Sequence, residues 1–242
     1  MNNIYIKSFF LLLLIYVGVT VVLYFFQKKF LYYPSSAQIT GEGLIHNFET
    51  INFKTSDNFI LKGWFHLKNS NKKTILFLHG NAGNLDNRID KLNSLGSMDI
   101  NFLIISWRGY SGNPGNPSEA GLYKDVLGGI KWLNEKGISN DQIILYGESL
   151  GTAIATEVGQ NKNFAGIILE APFTSMVDMG QKIYPIFPVK FLLKDKYESK
   201  NKIKNIKSPI LVLHGRKDKI VPFYMGEKIF EMANNPKFKY FT

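Results

Sequence analysis

The chain has 242 residues, a 45% apolar fraction, a formal net charge of +10 and no cysteine. That is enough for one α/β domain with a sizeable core, and the missing cysteines exclude disulfides, zinc–thiolate sites and cysteine nucleophiles. The positive excess is mainly lysine, dense over residues 182–207. No basic recognition motif accompanies it, so it reads as a Lys-, Asn- and Ile-rich composition and no nucleic-acid partner is expected.

Residues 8–26 carry no charge and are rich in Leu, Val, Phe and Ile, a length that suits the hydrocarbon core of a bilayer. A cleaved signal peptide would have a shorter apolar region followed by a small-x-small site, and residues 27–34 contain no such site. A buried core helix is rarely apolar on every face. Residues 1–33 therefore predict an uncleaved single-pass anchor and juxtamembrane segment, with the lipid bilayer as partner. The α-amino group and Lys7 balance Lys28 and Lys29, so the charges leave the side of the membrane undecided. Residues 34–46 read as a linker and 47–242 as the folded domain.

Within that domain, residues 48–54 and 59–67 alternate apolar and polar around Asp57-Asn58 and predict a hairpin. Residues 74–78 form a wholly apolar run, as in a buried parallel strand, and end at His79-Gly80-Asn81-Ala82-Gly83-Asn84. A helix over residues 85–95 and a strand over 101–106 follow. Arg108, in the next turn, reads as a residue that ties the loop together, with substrate-carboxylate binding as the alternative. Ser118 caps a helix reaching about residue 136.

An apolar strand then runs into Gly147-Glu148-Ser149-Leu150-Gly151 and out into a small-residue helix. Strand, sharp turn and helix are the context of a nucleophile elbow, with Ser149 at its tip. The bland alternative is a strand-to-helix turn with a serine N-cap. On the catalytic reading, the backbone N–H groups of Leu150 and Asn81, with Ala82 second to Asn81, form an oxyanion hole. His79 lacks metal-ligand partners and reads as a loop-shaping residue. Residues 164–169 give another strand. Residues 176–207, broken by Pro185 and Pro188, read as an irregular lid or a surface excursion; Phe187, Phe191 and Leu192 hint at an apolar acyl chain. Residues 209–213 form a strand ending in His214-Gly215-Arg216-Lys217-Asp218. Asp218 fits the acid of a Ser…Asp…His order; its bland alternative is a turn residue before a helix over 223–232, and Glu170 is the runner-up acid. The repeated strand–helix units predict an α/β fold with a mostly parallel, doubly wound sheet. No dinucleotide fingerprint is present, and no metal or organic cofactor is implied.

Residues 27–34, 79–84, 108–112, 117–125, 147–151, 170–176 and 214–222 together resemble the α/β-hydrolase superfamily. The similarity is to its membrane-anchored, serine aminopeptidase-like branch, related to protein depalmitoylases. Ser106-Trp107 departs from that pattern, where relatives often have an acidic residue before the aromatic. The resemblance implies Ser149 as nucleophile, Asp218 as acid, and a general-base histidine in a loop after the last strand. None of the four histidines, His46, His66, His79 and His214, follows Asp218. The expectation is a chain truncated before that base, with its last strand incomplete and a terminal helix absent. It would be a membrane-anchored serine hydrolase of acyl esters, thioesters or amides with impaired catalysis. The alternative is a catalytically dead homologue, either an anchored binding module or a decaying gene product.

Overall fold

A computed structural model describes residues 2–242. The chain opens with α1 (Asn2–Leu31), followed by the hairpin strands β1 (Glu49–Lys54) and β2 (Ile60–His66). Next come β3 (Thr74–Leu78), α2 (Ile89–Gly96), β4 (Asn101–Ile105), α3 (Glu119–Glu135), β5 (Ile143–Glu148), α4 (Leu150–Gly159) and β6 (Gly166–Glu170). The short helices α5 (Met176–Ile183), α6 (Val189–Leu192) and α7 (Ser199–Lys202) lead to β7 (Ile210–His214), α8 (Phe223–Met232) and β8 (Lys237–Phe241).

The eight strands form one sheet in the order β8-β7-β6-β5-β3-β4-β2-β1. β1 and β2 pair antiparallel, as do β2 and β4; all other pairs are parallel. The hairpin turns through Asn58 at φ 69°, a conformation asparagine tolerates better than most residues. β3 and β4, at the centre, are buried at every position, which is why they read as unbroken apolar runs. Alternate residues feed two cores. Leu76, Leu78, Leu145 and Leu169 face α3, α4 and α8; Ile75, Phe77, Phe102 and Ile104 face the other way, toward Leu92 of α2. On the α2 side the sheet is open toward β8, where Phe238 and Tyr240 are exposed.

The lid differs from its sequence reading. Residues 176–183 form a regular helix because Ser175 caps it, its hydroxyl accepting the Asp178 N–H at 2.9 Å. Asp178 in turn binds the Thr174 hydroxyl at 2.6 Å and pairs with Lys200 at 2.8 Å. The two prolines break the chain only after this helix.

Residues 34–46 lie against the domain. Asp86 accepts the Gly41 N–H at 2.9 Å, and Tyr33–Pro34 pair in parallel with Ala82–Gly83. Over α1, exposed residues surround a single partly covered stripe: Tyr16, Thr20, Leu23 and Gln27, ending at buried Leu31. Spacings of four, three, four and four place these on one helical face. The Tyr16 hydroxyl donates to the Ile186 carbonyl at 2.9 Å and its ring stacks on Phe187 at 5.3 Å. Gln27 donates to the Leu192 carbonyl at 3.1 Å and accepts the Lys194 N–H at 2.7 Å. Beyond it, buried Tyr32 binds Asp195 at 3.0 Å and Tyr197 at 2.7 Å.

Candidate active site

The turn at Ser149 is built by close packing. A Cβ on Gly147 would lie 2.4 Å from the Gly151 carbonyl oxygen, and one on Gly151 would lie 1.9 Å from the Leu78 carbonyl oxygen. The start of α4 is thus pressed onto the end of β3, and only glycine passes. Ser149 is held at φ 50°, ψ −113°, which costs a non-glycine residue about 1–3 kcal/mol. Its N–H bonds the Glu170 carbonyl at 2.9 Å, and its carbonyl accepts the Thr152 N–H at 2.9 Å and hydroxyl at 2.6 Å. Ser149 occupies the N-cap position of α4, yet its hydroxyl makes no capping bond; the residue lines a cavity instead.

Leu150 and Asn81 line the same cavity. Among the described residues, neither backbone N–H donates to a backbone acceptor. Asn81 is fixed from two sides: its side-chain amide donates to the Leu31 carbonyl at 2.5 Å, and its own carbonyl accepts the Tyr110 hydroxyl at 2.7 Å. Ala82 is engaged in the bridge to Tyr33. His79 is fully buried beneath Trp107 and donates from Nδ1 to the Gly80 carbonyl at 2.7 Å. Burial, with the Arg88 charge adding, pushes its pKa down to about 3, so the ring is neutral and shapes the loop.

Arg108 is a structural tie. It pairs with Asp125 at 2.7 Å and Asp57 at 2.9 Å, and lies 4.7 Å over the Phe59 ring. Burial pushes the Asp125 carboxyl up to about 6, against the pull of Arg108.

Asp218 accepts the N–H groups of Ile220 at 2.8 Å and Val221 at 3.0 Å, and its second oxygen lies 3.5 Å from His214 Nε2. Ile220 and Val221 line the cavity, and Asp218 does not. Glu170 is committed elsewhere, to Lys91 at 2.5 Å and the Tyr146 hydroxyl at 2.7 Å. No histidine lines the cavity among the described residues. His46 and His66 neighbour each other at 5.6 Å. The buried His214 bonds the Val221 carbonyl at 3.0 Å and packs against Gly226, where a Cβ would lie 2.1 Å from its Nδ1. The structure thus brings Ser149, Leu150 and Asn81 together at one cavity, leaves Asp218 outside its lining, and, among the described residues, puts no imidazole in that lining.

The cavity measures about 310 Å³ and its lining is overwhelmingly apolar. Met176, Met179, Ile183, Phe187 and Leu192 of the lid segment form one wall, and Leu23 and Phe30 of α1 form another, which sequence reasoning missed. The overlooked signal was the placement of Tyr16, Thr20 and Gln27, the hydrogen-bonding side chains of an otherwise apolar run, on one helical face.

A mostly parallel sheet with helices on both faces and a strained serine between β5 and α4 defines an α/β hydrolase fold. Residues 73–201 match the alpha/beta hydrolase fold family. The chain is 32% identical to the Mycobacterium tuberculosis protein Rv2307c, over 91% of its own length and 80% of the relative's. It is also 32% identical to protein bem46 of Schizosaccharomyces pombe, over 90% and 78%. The Pyrococcus furiosus esterase Pf2001 superposes with a TM-score of 0.67 at 20% identity, over 87% of this chain and 88% of that one, a likeness of fold. The chain belongs to the α/β-hydrolase family.

Proposed function

We propose that the site is that of a membrane-anchored serine hydrolase, cleaving an acyl ester, thioester or amide through an acyl-serine intermediate. Ser149 is the nucleophile, and the Leu150 and Asn81 N–H groups receive the charge that develops on the carbonyl oxygen. Asp218 is the acid, and α1, long and apolar enough to cross a membrane, is the anchor. The supporting observation is Ser149 itself, held in a left-handed conformation at the wall of an apolar cavity, its hydroxyl free of any capping bond. A serine hydroxyl is a poor nucleophile without a base. With every histidine of these 242 residues away from the cavity, turnover by this chain alone is reduced by roughly 10⁴ to 10⁶. The burial of His79 and His214 favours a second reading, an anchored module that binds acyl groups without turning them over.

A fluorophosphonate probe applied to the chain in membranes, beside Ser149→Ala, tests the assignment. Slow labelling that Ser149→Ala abolishes is expected. Labelling that survives the substitution would remove Ser149 from its role, and a folded protein that never labels would favour the second reading.

A further inference from the structure

We infer that the lid tip is inserted in the hydrocarbon of the leaflet that α1 enters, and that the cavity admits an acyl chain sideways from that leaflet. This rests on the reading of α1 as a membrane-crossing helix, and is independent of any chemistry at Ser149.

The contacts along α1 force the placement. Lid and helix touch from Gln27 to Tyr16, eleven residues, or roughly 16 Å of helix. Residues 8–27 are the uncharged run between Lys7 and Lys28, and every 18-residue window within it contains Tyr16. However α1 is set or tilted in a bilayer, the Phe187 ring stacked on Tyr16 lies below the interface. The lid's surface matches that position: Ile183, Ile186 and Phe191 are 61%, 71% and 83% exposed. Lys182 and Lys190 flank this tip, and their apolar stems can lie along hydrocarbon while the charges extend toward the headgroups.

The hydrogen-bonding pattern points the same way. The Tyr16 hydroxyl and the Gln27 amide both turn to lid backbone, as polar groups must where no water is available. Leu23, between them, forms a wall of the same cavity that Ser149 lines. The cavity thus extends from the serine to a seam between α1 and α5, and that seam lies at the depth of the acyl chains.

The chain has no cysteine, so single spin labels report without background. The intact protein is reconstituted in phosphatidylcholine vesicles with labels at Ile186→Cys, Phe191→Cys and Val19→Cys. Leu67→Cys, exposed at the opposite end of the sheet, is the aqueous control. Expected is loss of nickel-chelate collisions and gain of oxygen collisions at residues 19, 186 and 191, with the reverse at 67. Water-exposed labels at 186 and 191 would overturn the inference; a lipid-buried Val19→Cys in that case would leave the anchor standing. The second arm uses phosphatidylcholine carrying a diazirine near the end of one acyl chain. Crosslinks to Met176 or Met179 are expected, and they should be lost in Leu23→Trp, which fills the seam, but kept in Leu67→Trp. Crosslinks confined to the outer face of α1, or unchanged in Leu23→Trp, would refute lateral entry.

Discussion

Replacing Gly151 by alanine should be among the most damaging single-methyl changes in the molecule. The added Cβ would sit 1.9 Å from the Leu78 carbonyl oxygen and 2.7 Å from its carbon. Both are backbone atoms of the central strand β3, which is hydrogen-bonded on both sides and cannot yield. The start of α4 must instead retreat by about 1.5 Å to restore a normal contact, opening space beneath the buried Leu150, Ala153 and Ile154. Overpacking of this kind costs about 3 kcal/mol, an apparent Tm lower by ~6–12 °C for a chain of this size. Gly166→Ala is the control. There the nearest atom to the new Cβ is the Pro209 carbonyl oxygen at 3.6 Å, an ordinary contact, and the change should stay within about 1 kcal/mol of neutral. Thermal unfolding followed by the fluorescence of the three tryptophans, with the protein in detergent micelles, measures both. The packing argument fails if Gly151→Ala melts within about 2 °C of the parent chain, or if Gly166→Ala falls as far.

Tyr32→Phe removes a hydroxyl that serves Asp195 and Tyr197 in a buried cluster and should cost about 2 kcal/mol; an unchanged melting profile would discount the cluster. His79 titrates near 3 in the fold and near 6.5 when unfolded. The unfolded chain therefore binds the extra proton, and acidification from pH 6.5 toward 3 costs stability at up to about 1.4 kcal/mol per unit. Asp125, held up at about 6, opposes this below pH 6 by taking a proton more readily in the folded chain, so the quantity to measure is the difference between parent and His79→Phe. Urea unfolding at pH 7 and pH 5 should show a smaller loss in His79→Phe; equal losses would mean that the ring is not neutral in the fold. On the proposed assignment, added imidazole should act as a base at Ser149, raising Ser149-dependent fluorophosphonate labelling by on the order of tenfold. A rate insensitive to imidazole would show that the base is not the limiting group.

The sheet was legible where one physical signal dominated. The apolar run at residues 74–78 and the helix at 223–232 appear at those residues, because turn residues bound each sharply. The strand–turn–helix at Ser149 was legible because Gly147 and Gly151 mark a backbone crossing that no other residue allows. The helix at Met176–Ile183 was not, since one serine cap defines it while two later prolines dominate the composition of the segment. Nor was the docking of α1. A helix apolar on all faces has no amphipathic contrast to show which side meets protein, and Tyr16, Thr20 and Gln27 were too sparse to stand out. The bonds from the Ile220 and Val221 N–H groups to Asp218 depend on loop geometry, which no periodicity encodes.

The bond from Asn81 to the Leu31 carbonyl, with the short pairing of Tyr33–Pro34 to Ala82–Gly83, has a practical consequence. Removing the hydrophobic helix to obtain a water-soluble enzyme is routine in inhibitor screening. Here a fragment beginning after Pro34 would lose both attachments at once, and Leu23 and Phe30 with them. Compounds selected against such a fragment would be fitted to a slackened loop at residues 79–84 and a cavity missing one of its walls. Screens against this protein belong in detergent, nanodiscs or vesicles, with the first residues in place.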